Sequence, residues 1–159
     1  MKVRDRLGER GATLMEFAMA LPLMFILMLS IMDFGMFFFV KHTLQFATRE
    51  GARLALVGGT LTDASGNPLS REASILKRIR ERADVAMNPS RVIISIYPLA
   101  DDYSAPADSS SRIDAGAPGS TMRVRVSYDY TFVTPALHAL MPDGILTARA
   151  QATYRNELY

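Results

Sequence analysis

The sequence predicts an α+β protein: a long N-terminal transmembrane helix extends into a module in which a second helix packs on a three-stranded antiparallel sheet. Three observations carry this prediction. The run from Phe17 to Val40 is almost entirely apolar, the segment from Arg71 to Met87 is amphipathic at helical spacing, and three later segments alternate apolar with polar side chains. Strands and helices that occupy separate parts of a chain are typical of the α+β class.

The apolar run is long enough to cross a membrane. At about 1.5 Å per residue it covers roughly 36 Å, which exceeds a hydrocarbon core of about 30 Å. Its clearly polar members are Ser30 and Asp33, and Pro22 is compatible with a membrane helix. A buried helix of a small soluble domain would instead carry a polar stripe at helical spacing, and this run has none.

Charges around the apolar run predict its orientation. Cytoplasmic flanks carry an excess of basic residues. Four basic residues precede the run, and two acidic residues, Asp5 and Glu9, lie between them. Basic residues also follow the run, so the bias is moderate. A cleaved secretory signal is disfavoured because no small-x-small site follows. We expect one retained span, with the N-terminus cytoplasmic and the C-terminal part exported. The preceding basic residues are Lys2, Arg4, Arg6 and Arg10.

Composition argues against several classes of function. The 159 residues hold one domain beside the span, and without cysteine the chain has no disulfide, thiolate metal site or thiol nucleophile. A net charge of +2 is too small to indicate a nucleic-acid partner. His42 and His138 stand in no paired-ligand spacing, and phosphate-binding loops and nucleophile elbows are missing from the sequence. We therefore expect no catalytic residue, cofactor or metal site.

A carboxylate stands at the start of the apolar run. At the bilayer centre Glu16 would cost about 2.5–3.5 kcal/mol, and less near the interface, so a cationic partner is expected. In one interpretation Glu16 lies among cytoplasmic headgroups, where a negative charge favours a helix N-terminus. Asp33 lies about 25 Å further along the helix. It is expected at the opposite interface, exposed to water; the alternative is a second contact with another subunit or membrane partner.

The second interpretation of Glu16 comes from its context, Gly11-Ala12-Thr13-Leu14-Met15-Glu16-Phe17, which resembles the type IV prepilin processing site. Further markers extend the resemblance to TadE-like proteins, the minor pilins or pseudopilins of the tight-adherence pilus. The resemblance covers under a third of the chain. The markers are Arg10-Gly11-Ala12, Glu16-Phe17-Ala18, Leu21-Pro22, Asp33-Phe34-Gly35 and Ala47-Thr48-Arg49-Glu50-Gly51-Ala52-Arg53.

The resemblance implies roles for Gly11, Ala12, Glu16 and Phe17. A prepilin peptidase would cut after Gly11, and the new ammonium group of Ala12 would pair with Glu16 of a neighbouring subunit, with Phe17 in the same assembly contact. Cleavage would remove four basic and two acidic side chains from totals of 18 and 16, so the processed chain would be formally neutral. The implied partners are the peptidase, other pilin or pseudopilin subunits, inner-membrane pilus assembly proteins and membrane lipid.

These expectations divide the chain into three parts. Residues 1–11 would be a basic leader, residues 12–57 a membrane-spanning and stalk helix ended by Gly58-Gly59, and residues 58–159 an extracytoplasmic, pilin-like α+β domain. The helix would extend roughly 69 Å, well past the bilayer. The resemblance implies residence in the bacterial inner membrane, with the C-terminal domain periplasmic, and a non-catalytic role in assembling, priming or capping an adhesive pilus. The alternative is a membrane-anchored binding or adhesion module that never polymerises, with its site in the loop 99–120.

The exported part is predicted to contain one helix and three strands. Ser70 would cap the helix 71–87, strands would cover 91–97, 121–133 and 145–155, and residues 137–140 would form a helical turn. Oxygen-bearing side chains around Asp63 are spaced faintly like a calcium loop, but the bidentate Glu is missing, so a plain turn is predicted. The loop 99–120 is expected to be exposed and mobile. Whether Asp63 or the acidic loop Asp101–Asp114 binds a cation is left open by the sequence.

Overall fold

The computed structural model describes residues 3–158, with side chains described from Ala12 to Leu158. Over these residues the chain forms three helices and three strands, and the strands make one antiparallel sheet in which they lie in chain order. The predicted α+β class is therefore confirmed. The bounds are α1 Val3–Leu56, α2 Arg71–Ala83, β1 Ile93–Pro98, β2 Thr121–Thr131, α3 Pro135–Leu140 and β3 Ile145–Arg155, with short 3-10 turns at Pro89–Arg91 and Pro142–Gly144.

The chain divides into two compact units. The first joins the N-terminal part of α1, up to Met36, to Thr131–Ile145. The second contains Phe37–Tyr130 and Leu146–Tyr159, and so holds the C-terminal part of α1, helix α2 and most of the sheet.

The core of the second unit follows from three periodic patterns. On α1 the small residues Ala47, Gly51 and Ala55 recur every fourth position and form one buried face. Helix α2 approaches this face so closely that a Cβ atom added at Gly51 would overlap the side chain of Ile79. Alternate residues of β2 are buried, as the predicted pattern requires. The buried side chains of α2 and β2 include Ile75, Ile79, Ala83, Met122, Val124, Val126 and Tyr128.

Helix α2 begins where predicted and ends earlier than predicted. The Ser70 side chain accepts a hydrogen bond from the Ala73 amide at 3.2 Å, which is an N-cap. The helix ends at Ala83 rather than Met87, and beyond its end the Ala86 amide bonds to the Ala83 carbonyl three residues back, as in a tighter turn. This tighter turn buries Met87.

Arg71 connects three distant parts of the second unit. Its guanidinium donates hydrogen bonds to the Ala55 carbonyl at 2.6 Å, to the Gly116 carbonyl at 3.1 Å and to the Asn156 side-chain oxygen at 2.6 Å. Asn156 is 3% exposed and donates in turn to the Ala117 carbonyl at 2.8 Å. One side chain at the start of α2 therefore holds the end of α1, the β1–β2 loop and the end of the chain together. We use "β1–β2 loop" for residues 99–120.

Residues 112–114 of the β1–β2 loop pair with the sheet, which the sequence did not predict. Ile96 of β1 donates to the Arg112 carbonyl at 2.8 Å and accepts from the Asp114 amide at 2.9 Å, around a parallel bridge between Ile96 and Ile113. The next residue, Ala115, is buried. The composition of this loop, rich in Ala, Ser, Pro, Gly and Asp, concealed a strand-like pairing of a few residues.

Candidate functional site

The N-terminal part of α1 presents an apolar surface that the chain itself leaves uncovered. The side chains from Ala12 to Ala20 are all exposed, and so are those from Pro22 to Leu29. Within the part of the chain whose residues are described, α1 is the one helix long and apolar enough to cross a membrane. An exposed apolar patch of this size marks a membrane or protein contact. The long apolar N-terminal helix thus supports a membrane anchor.

Glu16 and Phe17 stand at the start of this surface. The side chain of Glu16 is exposed, and Phe17 is 60% exposed. Among the described side chains Glu16 takes part in no ion pair or hydrogen bond. Ala12 lies four residues earlier, about one helical turn away. A carboxylate in this position is therefore accessible to a cation from outside the chain.

The predicted processing site falls at the edge of the described residues. The surroundings of the basic leader side chains and of Gly11 lie outside what the structure describes, while Ala12 is the first residue with a described side chain and is exposed. Cleavage between Gly11 and Ala12 and the pairing of Ala12 with Glu16 therefore stay predictions.

Asp33 lies in a different environment from the one the sequence predicts. It is 8% exposed, and its Oδ2 atom accepts hydrogen bonds from the amides of Val133 and Thr134, both at 2.9 Å. The expectation that Asp33 is exposed to water is wrong. Thr134 is the N-cap residue of α3 but makes no side-chain cap bond, so Asp33 supplies an anionic acceptor at the start of that helix.

An aromatic contact accompanies the bonds of Asp33. The ring of Phe34 meets that of Phe132 edge to face, with 5.3 Å between ring centroids. The β2–β3 connection, Thr131–Ile145, is thus attached to α1 by one carboxylate and one ring pair in the first unit. The bonded residues are 100 and 101 positions apart in sequence, so local patterns could not reveal the attachment. A contact of Asp33 with another subunit stays a prediction.

The carboxylate of Asp63 is hydrogen-bonded to backbone amides of its own turn. The Asp63 Oδ1 atom accepts the amides of Ser65 at 2.8 Å and Asn67 at 2.9 Å, and Thr62 and Pro68 form a bridge across the turn. The hydrogen bond from the Asn67 amide is the main cause that lowers the pKa of Asp63. The carboxylate is used to close a turn, as the sequence predicts.

Three acidic side chains of the β1–β2 loop also bond to groups within the loop. Asp114 pairs with Arg112 at 2.8 Å and accepts the Gly116 amide at 2.8 Å, and these two contacts lower the pKa of Asp114. Asp108 lies 3.6 Å from the Arg112 guanidinium, and Asp102 accepts the Ser104 amide at 2.9 Å. Among the described residues no group of three or more His, Asp or Glu side chains could hold a metal ion.

A groove of about 700 Å³ runs along the outer face of α2. Its charged lining includes Lys77, Arg80 and Glu81, and Lys77 is bonded to the Thr62 carbonyl at 2.6 Å. The lining offers neither a histidine nor a hydroxyl paired with a general base, the arrangement that nucleophilic catalysis needs. The groove therefore does not suggest a reaction.

The comparison with protein families singles out the N-terminal part of the chain. Residues 11–53 match the family model described as TadE-like protein. A search of curated proteins and a search of solved structures each found no match. The matched residues contain Ala12, Glu16, Phe17 and Asp33, and they end at Arg53, the last residue of the sequence markers. Over residues 11–53 the chain is therefore similar to TadE-like proteins, and the resemblance drawn from its sequence is confirmed there.

Proposed function

We propose that this protein is a minor pilin or pseudopilin that takes part in assembling a tight-adherence type IV pilus, packing through α1. The observation that carries the proposal is the TadE-like match over residues 11–53. This segment contains both the carboxylate of Glu16 and the exposed apolar part of α1. The protein sits in the inner membrane as a single-pass subunit with a cytoplasmic N-terminus, and it enters the pilus or its assembly platform from there.

Assembly depends on a charge pair created by processing. A prepilin peptidase cleaves after Gly11, and the ammonium group of Ala12 then meets Glu16 of a neighbouring subunit. In an apolar bundle each charge alone is poorly solvated, so the pair forms in one register of the two helices. The exposure of Glu16 supports this step because the carboxylate is free to meet another chain. Phe17 packs beside the pair.

The proposed role is structural and needs no cofactor or metal. Its partners are the prepilin peptidase, other pilin or pseudopilin subunits, inner-membrane assembly proteins and lipid. The rival function, a membrane-anchored adhesion module that never polymerises, would need no processing at Gly11 and no carboxylate at position 16.

The decisive variant is Glu16→Ala, compared with Glu16→Asp and with Asp101→Ala as a control in the exposed β1–β2 loop. Losing one partner of a desolvated pair costs about 3–5 kcal/mol, so Glu16→Ala should abolish pilus assembly. Glu16→Asp should assemble partly, and Asp101→Ala should assemble normally. Piliation is counted by electron microscopy, and the N-terminal residue of the membrane form is identified by mass spectrometry.

The two measurements separate the rival functions. A mature N-terminus at Ala12 together with lost piliation in Glu16→Ala supports the pilin. An intact Met1 in the native membrane, or normal pili with the Glu16→Ala protein, contradicts the proposal and leaves the anchored adhesion module.

A further inference from the structure

We propose that the β2–β3 connection, Thr131–Ile145, is a second membrane contact that lies in the outer-leaflet interface of the bilayer crossed by α1. This contact rests on the membrane anchoring proposed above and goes beyond it, because it assigns lipid binding to a segment outside the TadE-like region. Its partner is the phospholipid surface itself.

The depth of Asp33 is the first reason. Twenty residues from Phe17 to Met36 extend about 30 Å along a helix, which is the thickness of the hydrocarbon core. Asp33 falls within this range, close to its outer end. An ionised carboxylate at that depth is costly unless hydrogen-bond donors accompany it.

The β2–β3 connection supplies those donors and is therefore held at the same depth. The amides of Val133 and Thr134 each lie 2.9 Å from the Asp33 Oδ2 atom. A hydrogen bond of this length places the donor backbone directly beside the carboxylate. If α1 crosses the membrane, the start of the connection lies at the outer edge of the hydrocarbon.

The exposed side chains of the connection suit that position. Val133 is 85% exposed and Leu140 is 76% exposed, although both are large and apolar. The segment contains no lysine or arginine, and Asp143 is its one acidic residue. Single exposed apolar residues are ordinary on a protein surface. Here they belong to the same compact unit as the exposed apolar part of α1, and lipid would cover both.

Several backbone groups of the connection are also bonded within the protein. The Phe132 amide donates to the Gly144 carbonyl at 3.0 Å, and the His138 amide donates to the Thr134 carbonyl at 2.9 Å. Gly144 has a φ of +67°, and a Cβ atom there would overlap the ring of His138, so the tight return of the chain requires glycine. Internal bonding of this kind reduces the cost of leaving water.

Tryptophan fluorescence can test this contact because the chain has no native tryptophan. Val133→Trp and Leu140→Trp are made singly in the full chain and reconstituted in phospholipid vesicles. Met19→Trp reports the apolar surface of α1, and Tyr103→Trp reports the exposed β1–β2 loop. All four positions are exposed, so each accepts the larger ring without repacking a core. The quenchers are lipids brominated at shallow or deep acyl positions.

We expect Val133→Trp and Leu140→Trp to lose emission with brominated lipid, and to lose more with shallow than with deep bromine. Interfacial segments lie about 5–10 Å into the headgroup and acyl boundary, within reach of the shallow label. Met19→Trp should also be quenched, and Tyr103→Trp should not.

Three results would overturn the inference in different ways. If Met19→Trp is not quenched, the anchoring itself fails, and the second contact fails with it. If Met19→Trp is quenched while both variants of the connection behave like Tyr103→Trp, the anchor stands and the second contact is wrong. If their emission shifts to the blue as the protein-to-lipid ratio rises but brominated lipid does not quench it, another copy of the chain covers the connection instead of lipid.

Discussion

The two connections that join neighbouring strands of the sheet hold their shape by different means. The β1–β2 loop contains four aspartates and one arginine, and three of its carboxylates, those of Asp102, Asp108 and Asp114, contact its own amides or guanidinium. The β2–β3 connection has one aspartate and no lysine or arginine, and two of its amides bond to the carboxylate of Asp33 in α1. A charged loop can solvate and bond itself in water, whereas an apolar connection must take its polar partner from elsewhere. The difference agrees with the membrane contact proposed for the β2–β3 connection.

The largest expected effect concerns Arg71, which ties the self-bonded loop to the rest of the second unit. Arg71→Ala removes the donors for the Ala55 and Gly116 carbonyls and for the side chain of Asn156. Partly buried acceptors left without partners cost about 1–3 kcal/mol each, so we expect a loss of roughly 3 kcal/mol or more in the free energy of unfolding. Chemical denaturation followed by circular dichroism measures this loss.

Arg123→Ala is the matched control for Arg71. Arg123 makes one exposed hydrogen bond, to Thr153 at 3.1 Å, so its removal should change stability by less than about 1 kcal/mol. Equal effects of the two substitutions would show that the β1–β2 loop does not need its outside attachment.

The second effect concerns Asp33 and the attachment of the β2–β3 connection. Asp33→Ala leaves the Val133 and Thr134 amides without their acceptor, at a cost of about 1–3 kcal/mol each. Opening of the connection should become easier, so hydrogen exchange of peptides within residues 131–145 should accelerate while exchange of α2 stays unchanged.

Asp33→Asn separates the charge of Asp33 from its geometry. The amide oxygen still accepts hydrogen bonds, but neutral acceptors bind about half as strongly as ionised ones. Exchange in the connection should therefore lie between that of the native protein and that of Asp33→Ala. Unchanged exchange in Asp33→Ala would remove the contrast between the two connections, since neither would then depend on a carboxylate from outside.

These contrasts also show what sequence patterns could predict. The alternation in β2 and β3 and the amphipathic pattern of α2 are local, and they predicted those elements together with their buried faces. The bonds of Asp33 to the β2–β3 connection and of Arg71 to Asn156 join residues 85 to 101 positions apart, and no local periodicity reveals them. The end of α2 at Ala83 was missed because the turn that follows replaces helical bonds without breaking the apolar spacing.

The same distinction between local patterns and distant contacts applies to the candidate site. A motif of ordered residues predicted the TadE-like region, and the family match confirms that region. The role of Glu16 concerns another chain, so one folded chain cannot reveal it. The surroundings of Asp33 concern a distant part of the same chain, and the folded structure does reveal them.

The smallest effect is acid sensitivity of the self-bonded loop. The hydrogen bond from Arg112, followed by that from the Gly116 amide, lowers the pKa of Asp114 below its value in the unfolded chain. A lowered pKa stabilises the fold above the unfolded value, near pH 4, and this stabilisation is lost as the pH falls through the folded value. Because Asp114 is 38% exposed, the solvent-screened pair contributes only about 0.2–1 kcal/mol. Below pH 4, hydrogen exchange of residues 108–116 should therefore be slightly faster than the intrinsic pH dependence of exchange predicts. In Asp114→Asn the excess should already be present at pH 7, and an Asp114→Asn loop as protected as the native loop at that pH would show that the backbone pairing with Ile96 alone holds it.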